Sequence, residues 1–105
     1  MDAVAQALAD PIRREILVML HDAPRTAGAI AGVFSVSRPA ISRHLRVLRE
    51  AGLVQVRQEA QRRIYSISPE PLAELDGWLN SYRALWQGRL DALHTEIARG
   101  KRDRS

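Results

Sequence analysis

Between Ser37 and Val54 the apolar positions Ile41, Leu45 and Leu48 recur at a four-then-three spacing. That spacing stacks side chains on one face of a helix. On the same wheel Pro39, Arg43, Arg46 and Glu50 point the opposite way, with Ser42 and Arg49 on one flank. Ser37 supplies a hydroxyl that can cap the first turn, and Pro39 sits where no intrahelical bond is lost. Gly52 accepts the left-handed conformation that ends a helix. The stretch predicts a short helix with an apolar inner stripe and an arginine-rich outer face.

The preceding segments form a platform for it. Asp2 caps a first short helix through Leu8 whose small apolar residues suit an accessory role. Asp10-Pro11 opens a second helix with Ile12, Ile16, Leu17, Met19 and Leu20 on a broad apolar face. The segment His21 to Arg25, with Pro24, breaks it. Thr26 caps a third helix with Ala27, Ile30, Ala31 and Phe34 inside, and Ser35-Val36 is a tight link to Ser37. Gly28 and Gly32 weaken that third helix in isolation but permit close approach of a neighbour. Two short helices joined by a turn of about three residues predict a helix-turn-helix, its second helix free to enter a groove.

Beyond Gly52 the period changes to two. Leu53–Gln58 and Arg63–Ser68 alternate apolar and polar, which predicts a β-hairpin with Glu59, Ala60, Gln61 and Arg62 at its tip. Pro69 and Pro71 then open a long helix. Leu72, Leu75, Leu79, Tyr82, Trp86, Leu90, Leu93 and Ile97 follow a near-heptad spacing, and Trp78 and Leu85 widen the stripe. A domain this small cannot cover such a stripe with its own core, so the positions from Leu72 to Leu93 predict a dimer interface. The predicted fold is mainly α with a small β-hairpin wing, in the order α-α-α-α-β-β-α. One domain is expected over residues 1–99, followed by a charged, flexible tail over 100–105.

Charge sharpens the picture. The net charge is +4, yet residues 37–63 alone hold seven arginines against two glutamates. The flanking segments are close to neutral. A local basic patch is the electrostatic footprint of a nucleic-acid binder. Arginine at a helix start can donate a fork of two hydrogen bonds to guanine, and serine can donate or accept. Ser37, Arg38, Pro39, Ser42 and Arg43 are therefore candidates for the major groove of double-stranded DNA. Arg46 and Arg49 lie further along and suit phosphates, which fix register without reading sequence. Arg57, Arg62 and Arg63 can reach backbone or minor groove from the hairpin.

Other chemistry is poorly supported. There are no cysteines, so disulfides, thiolate metal sites and cysteine nucleophiles are excluded. No glycine-rich phosphate loop, nucleophile–histidine pair or paired acids suggest an enzyme, and no cofactor or metal is expected. His44 reads as a packed or phosphate-directed histidine, and His21 as a cation at a helix C-terminus. Asp91, His94 and Glu96 are a poor match to a closed tetrahedral metal site. No run of about 18 apolar residues predicts a membrane span, and the N-terminus lacks a signal-peptide pattern. The cytoplasm is the expected compartment.

The run SRPAISRHLRVLREAGLVQVRQEAQRRIYSI resembles the recognition helix and wing of ArsR/SmtB-type winged helix-turn-helix repressors. LADPIRREILVML resembles that family's second helix. The resemblance extends from about Ala7 to Ile97 and is most specific over Ser42-x-His44-Leu45-x-x-Leu48-x-x-Ala51-Gly52-Leu53-Val54. It points to the autorepressor-type members that lack metal sites. The resemblance implies a homodimer, joined through its first and last helices, that binds an inverted-repeat operator and represses transcription. The family's metal sensors often carry cysteines in the third helix, where Ala27–Phe34 stand here. The family usually has glycine at the wing tip, where this chain has Ala60, so a different turn and a different reach for Arg62 are expected. Two alternatives remain at this level: a metal- or ligand-responsive sensor on the same scaffold, and a winged helix that meets an acidic protein.

Overall fold

A computed structural model describes the backbone of residues 2–104 and the side chains of residues 2–100. In chain order the elements are α1 (Asp2–Leu8), α2 (Pro11–Asp22), β1 (Arg25–Thr26), α3 (Ala27–Ala31), α4 (Arg38–Glu50), β2 (Val54–Glu59), β3 (Arg62–Ile67) and α5 (Pro69–Arg104). Three side-chain caps set helix starts. Asp10 Oδ1 accepts from the Ile12 and Arg13 backbone N–H groups at 2.8 and 3.2 Å. Thr26 Oγ1 accepts from Ala29 N at 3.2 Å, and Ser37 Oγ from Ala40 N at 3.3 Å. Each satisfies a donor that the first helical turn leaves unpaired.

The end of α4 is equally well specified. Gly52 has φ +77°, Leu53 N donates to Leu48 O at 3.0 Å and Gly52 N to Arg49 O at 2.9 Å. This paired capping returns the chain directly into β2, and only glycine adopts that φ without cost.

The chain divides into two compact units, Met1–Ala73 and Glu74–Ser105, where the sequence pattern predicts one domain over 1–99. In the first unit Ile16, Ile30, Ile41, Leu48 and Leu53 are fully buried. They come from α2, α3, α4 and the turn after α4. Burying one such side chain contributes about 1.5–3 kcal/mol. The exposed Arg46–Glu50 ion pair at 3.8 Å contributes at most about 1 kcal/mol. The apolar stripe therefore sets the position of α4, and its outer face is left for other work.

The sheet has three strands in the order β1-β3-β2, both pairs antiparallel. Strand β1 corrects the expectation of a plain break between helices. Arg25 pairs with Tyr65 and Thr26 with Ile64, so Thr26 ends a strand and caps a helix at once. The hairpin turn is also shorter than predicted. Glu59 pairs with Arg62, leaving Ala60 and Gln61 as its two-residue tip. Ala60 has φ +56°, the one non-glycine among the described residues with positive φ.

Two further expectations are corrected. Helix α3 stops at Ala31 rather than Phe34, and residues 32–36 form turns and bends, not a two-residue link. Gly28 within it and Gly32 at its C-cap are poor helix formers, and beyond Ile30 no buried side chain holds the turn. Helix α1 is not merely accessory, because Val4 and Ala7 are buried. Helix α5 extends to Arg104; of the predicted 100–105 tail, the side chains beyond Gly100 and all of Ser105 lie outside the described residues.

In the second unit the apolar stripe of α5 is exposed. Trp78, Leu79, Tyr82, Leu85, Trp86, Leu90, Leu93 and Ile97 are each between 40% and 59% accessible. Trp78 stacks on Tyr82 at 5.2 Å between ring centroids, and Tyr82 meets the Trp86 ring edge-on at 6.0 Å. The stripe is thus a continuous aromatic and leucine surface. Leu72, in the first unit, and Leu75 are partly buried.

Candidate nucleic-acid interface

One face of α4, along most of its length, borders an open groove. Pro39, Ser42, Arg43, Arg46 and Arg49 line it from α4, and Arg63 lines it from β3. Leu45, Tyr65 and Ala27 complete it, and the space measures about 460 Å³. Among the described residues no carboxylate lines the groove. Four guanidinium groups concentrate positive charge on a concave, partly apolar surface.

The strand register decides which wing arginines take part. Directly paired residues of an antiparallel ladder share a face. Gln58–Arg63, Val56–Tyr65 and Val54–Ile67 are such pairs, and Val54 and Tyr65 are buried. Arg63 therefore extends the core-facing side of the hairpin, beside α4. Arg57 pairs with Ile64 and Glu59 with Arg62, so Arg57 and Arg62 belong to the opposite face.

The remaining candidates separate further. Arg57 Nη2 donates to Glu59 Oε2 at 3.1 Å, so its charge is already matched. Arg62 lies with Thr26, Ala27, Gly28, Gln61 and Arg63 around a second hollow at the start of α3. Arg38 turns toward α3: a Cβ on Gly28 would stand 3.4 Å from its Nη2, and it lines a hollow with Ala27, Ala31 and Ile41. The Ser37 hydroxyl is engaged in its own helix cap.

Tyr65 is, with Leu45 and Ala27, a groove residue that sequence reasoning missed. Alternation places it on one face with Ile67, but only the fold brings that face against Leu45 and Arg49. His44 is half-buried on the inner flank of α4, with Nδ1 3.2 Å from Arg13 Nη1. Among the described residues no group of three or more His, Asp or Glu side chains gathers to hold a metal ion. None of the described helices is long and apolar enough to cross a membrane.

A packed helical core, an arginine-faced second helix of a helix-turn-helix and a hairpin beside it define the winged helix-turn-helix class of DNA-binding domain. Residues 10–56 match the family described as bacterial regulatory protein, arsR family. The chain is 35% identical to the transcriptional repressor SdpR of Bacillus subtilis over 78% of its own length and 91% of that protein. Its fold is similar to the ArsR-like transcriptional regulator from Rhodococcus sp. RHA1, with a TM-score of 0.79 and 33% identity over 94% of this chain and 90% of that one. It is also similar to the homodimeric winged helix-turn-helix DNA-binding domain of a possible ArsR-family regulator from Mycobacterium bovis. There the TM-score is 0.64 and the identity 31%, over 79% of this chain and 77% of that one. The chain belongs to the ArsR family of DNA-binding transcription regulators.

Proposed function

We propose that this chain is a homodimeric transcriptional repressor that reads an inverted-repeat operator with paired α4 helices. The observation that carries the reading is the groove between α4 and β3, where Arg43, Arg46, Arg49 and Arg63 converge with Ser42 and no acid among the lining residues. Ser42 and Arg43, in the first half of α4, meet base edges in the major groove. Arg46, Arg49 and Arg63 meet phosphates, as does Arg62 from the far side of the wing. Arg38 supports the start of α4 and reaches the backbone from the α3 side, and Arg57 contributes little net charge.

The exposed α5 stripe supports self-association, with Leu72, Leu75, Leu79, Tyr82, Trp86, Leu90 and Leu93 in the interface. Its aromatic content suits an association surface. The homodimeric state and repressor role named for its relatives support the same reading here. The protein acts in the cytoplasm, performs no enzymatic step and requires no cofactor; repression follows from occupancy of the operator.

The test is selection of bound sequences from a random duplex pool, followed by titration of wild type and Arg43→Ala on the selected site. Loss of the arginine should weaken specific binding by about 1–3 kcal/mol and relax preference at one base position. Equal loss on every sequence would make Arg43 a phosphate contact. No selected sequence at all would overturn the reading.

A further inference from the structure

Arg13, in the first turn of α2, joins three helices. Its Nε donates to Ala7 O at 2.7 Å and its Nη2 to Gln6 O at 2.9 Å, both at the C-terminal end of α1. Its Nη1 lies 3.2 Å from Nδ1 of His44, on the inner flank of α4 and thirty-one residues away in sequence. Arginine has donors only and stays charged, so Nδ1 must carry a lone pair. The contact therefore selects the neutral His44 ring with its proton on Nε2.

We infer that Arg13 is a positioning residue for DNA reading, holding α4 against the α1–α2 elbow through the neutral ring of His44. This rests on α4 being the helix that reads DNA. The ring is the only side chain of α4 that Arg13 bonds, one residue from Arg43 in the groove. Protonating Nδ1 replaces an acceptor with a donor facing a cation, and the tie is lost.

The test compares His44→Asn and His44→Leu with wild type on the selected operator. Asparagine places an oxygen acceptor near the Nδ1 position and does not titrate; leucine keeps bulk and removes the acceptor. At about pH 8, His44→Asn should bind within about twofold of wild type, and His44→Leu about three- to tenfold more weakly. A loss of packing alone would not be rescued by asparagine. Nitrogen-15 NMR of the free protein's ring should show the Nε2–H tautomer, independently of DNA and of variant stability. A ring protonated on Nδ1, a His44→Leu variant that binds as wild type, or an asparagine variant that binds as weakly as His44→Leu would each overturn the assignment. Arg43→Ala separates the two levels. If it weakens operator binding while the His44 variants do not, only the positioning role fails. If it has no effect, the role of α4 fails and this inference fails with it.

Discussion

Arg57 Nη2 stands 3.1 Å from Glu59 Oε2 on the exposed face of β2, so the wing holds a carboxylate against one of its own cations. Arg63, one strand over and on the other face, lines the groove with α4. The two arginines look alike in sequence and differ in what they can offer a phosphate. Glu59→Gln should free Arg57, raise affinity for all duplexes alike and steepen the dependence of log affinity on log salt by about 0.9. Filter binding across a salt series measures this; an unchanged slope would place Arg57 out of reach of DNA.

The wing tip carries a backbone cost. Ala60 holds φ +56° in a two-residue turn between paired Glu59 and Arg62. Left-handed backbone costs an L-residue about 1–2 kcal/mol, part of which glycine recovers. Ala60→Gly should raise stability by about 0.5–1 kcal/mol in urea unfolding. A loss of stability would show that the turn does not need this conformation.

Asp10 ties stability to acid pH. Its folded carboxyl titrates below the ordinary 3.8: burial acts upward, and the Arg13 and Ile12 N–H groups, with the nearby His44 and Arg13 charges, outweigh it. A depressed folded value means stability that is fully present above pH 3.8 and lost as pH falls below it. Asp10→Asn keeps a capping oxygen without the titration, so its thermal midpoint should fall less on acidification than that of wild type. Asp10→Ala should cost about 1 kcal/mol at neutral pH. Identical acid profiles for wild type and Asp10→Asn would remove the charge from the account.

Trp86 lies mid-stripe on α5, edge-on to Tyr82 and with the Arg89 guanidinium 5.8 Å from its ring. Trp86→Glu places a charge in the proposed interface. Analytical ultracentrifugation should find monomers, and operator affinity should fall by about a hundredfold or more as the two-site contact is lost. A variant that remains dimeric would move the interface elsewhere.

What was readable in the sequence is what local chemistry sets. Ser37, the Ile41–Leu45–Leu48 stripe and Gly52 define α4 within one stretch, and the burial of all three apolar residues follows the predicted face. The site was legible as far as helical geometry reaches, so the groove contains Ser42, Arg43, Arg46 and Arg49 together. Features that depend on distant partners were not legible. Strand β1 is two residues long and exists because Arg25 and Thr26 meet Tyr65 and Ile64; a pair of residues has no periodicity. Arg38 belongs to the start of α4 by sequence but turns over Gly28 because that helix face is bare. The Arg13–His44 contact spans thirty-one residues and three helices, beyond any local pattern.

The central claim is that two copies present α4 to successive major grooves at a fixed separation. It is tested most directly by inserting half a helical turn, about 5 base pairs, between the half-sites of the selected operator. High-affinity binding of two chains should be lost on the insertion and recovered in part when a full turn of about 10 base pairs restores the helical face. Equal affinity for the native spacing, the half-turn insertion and a single isolated half-site would contradict the account.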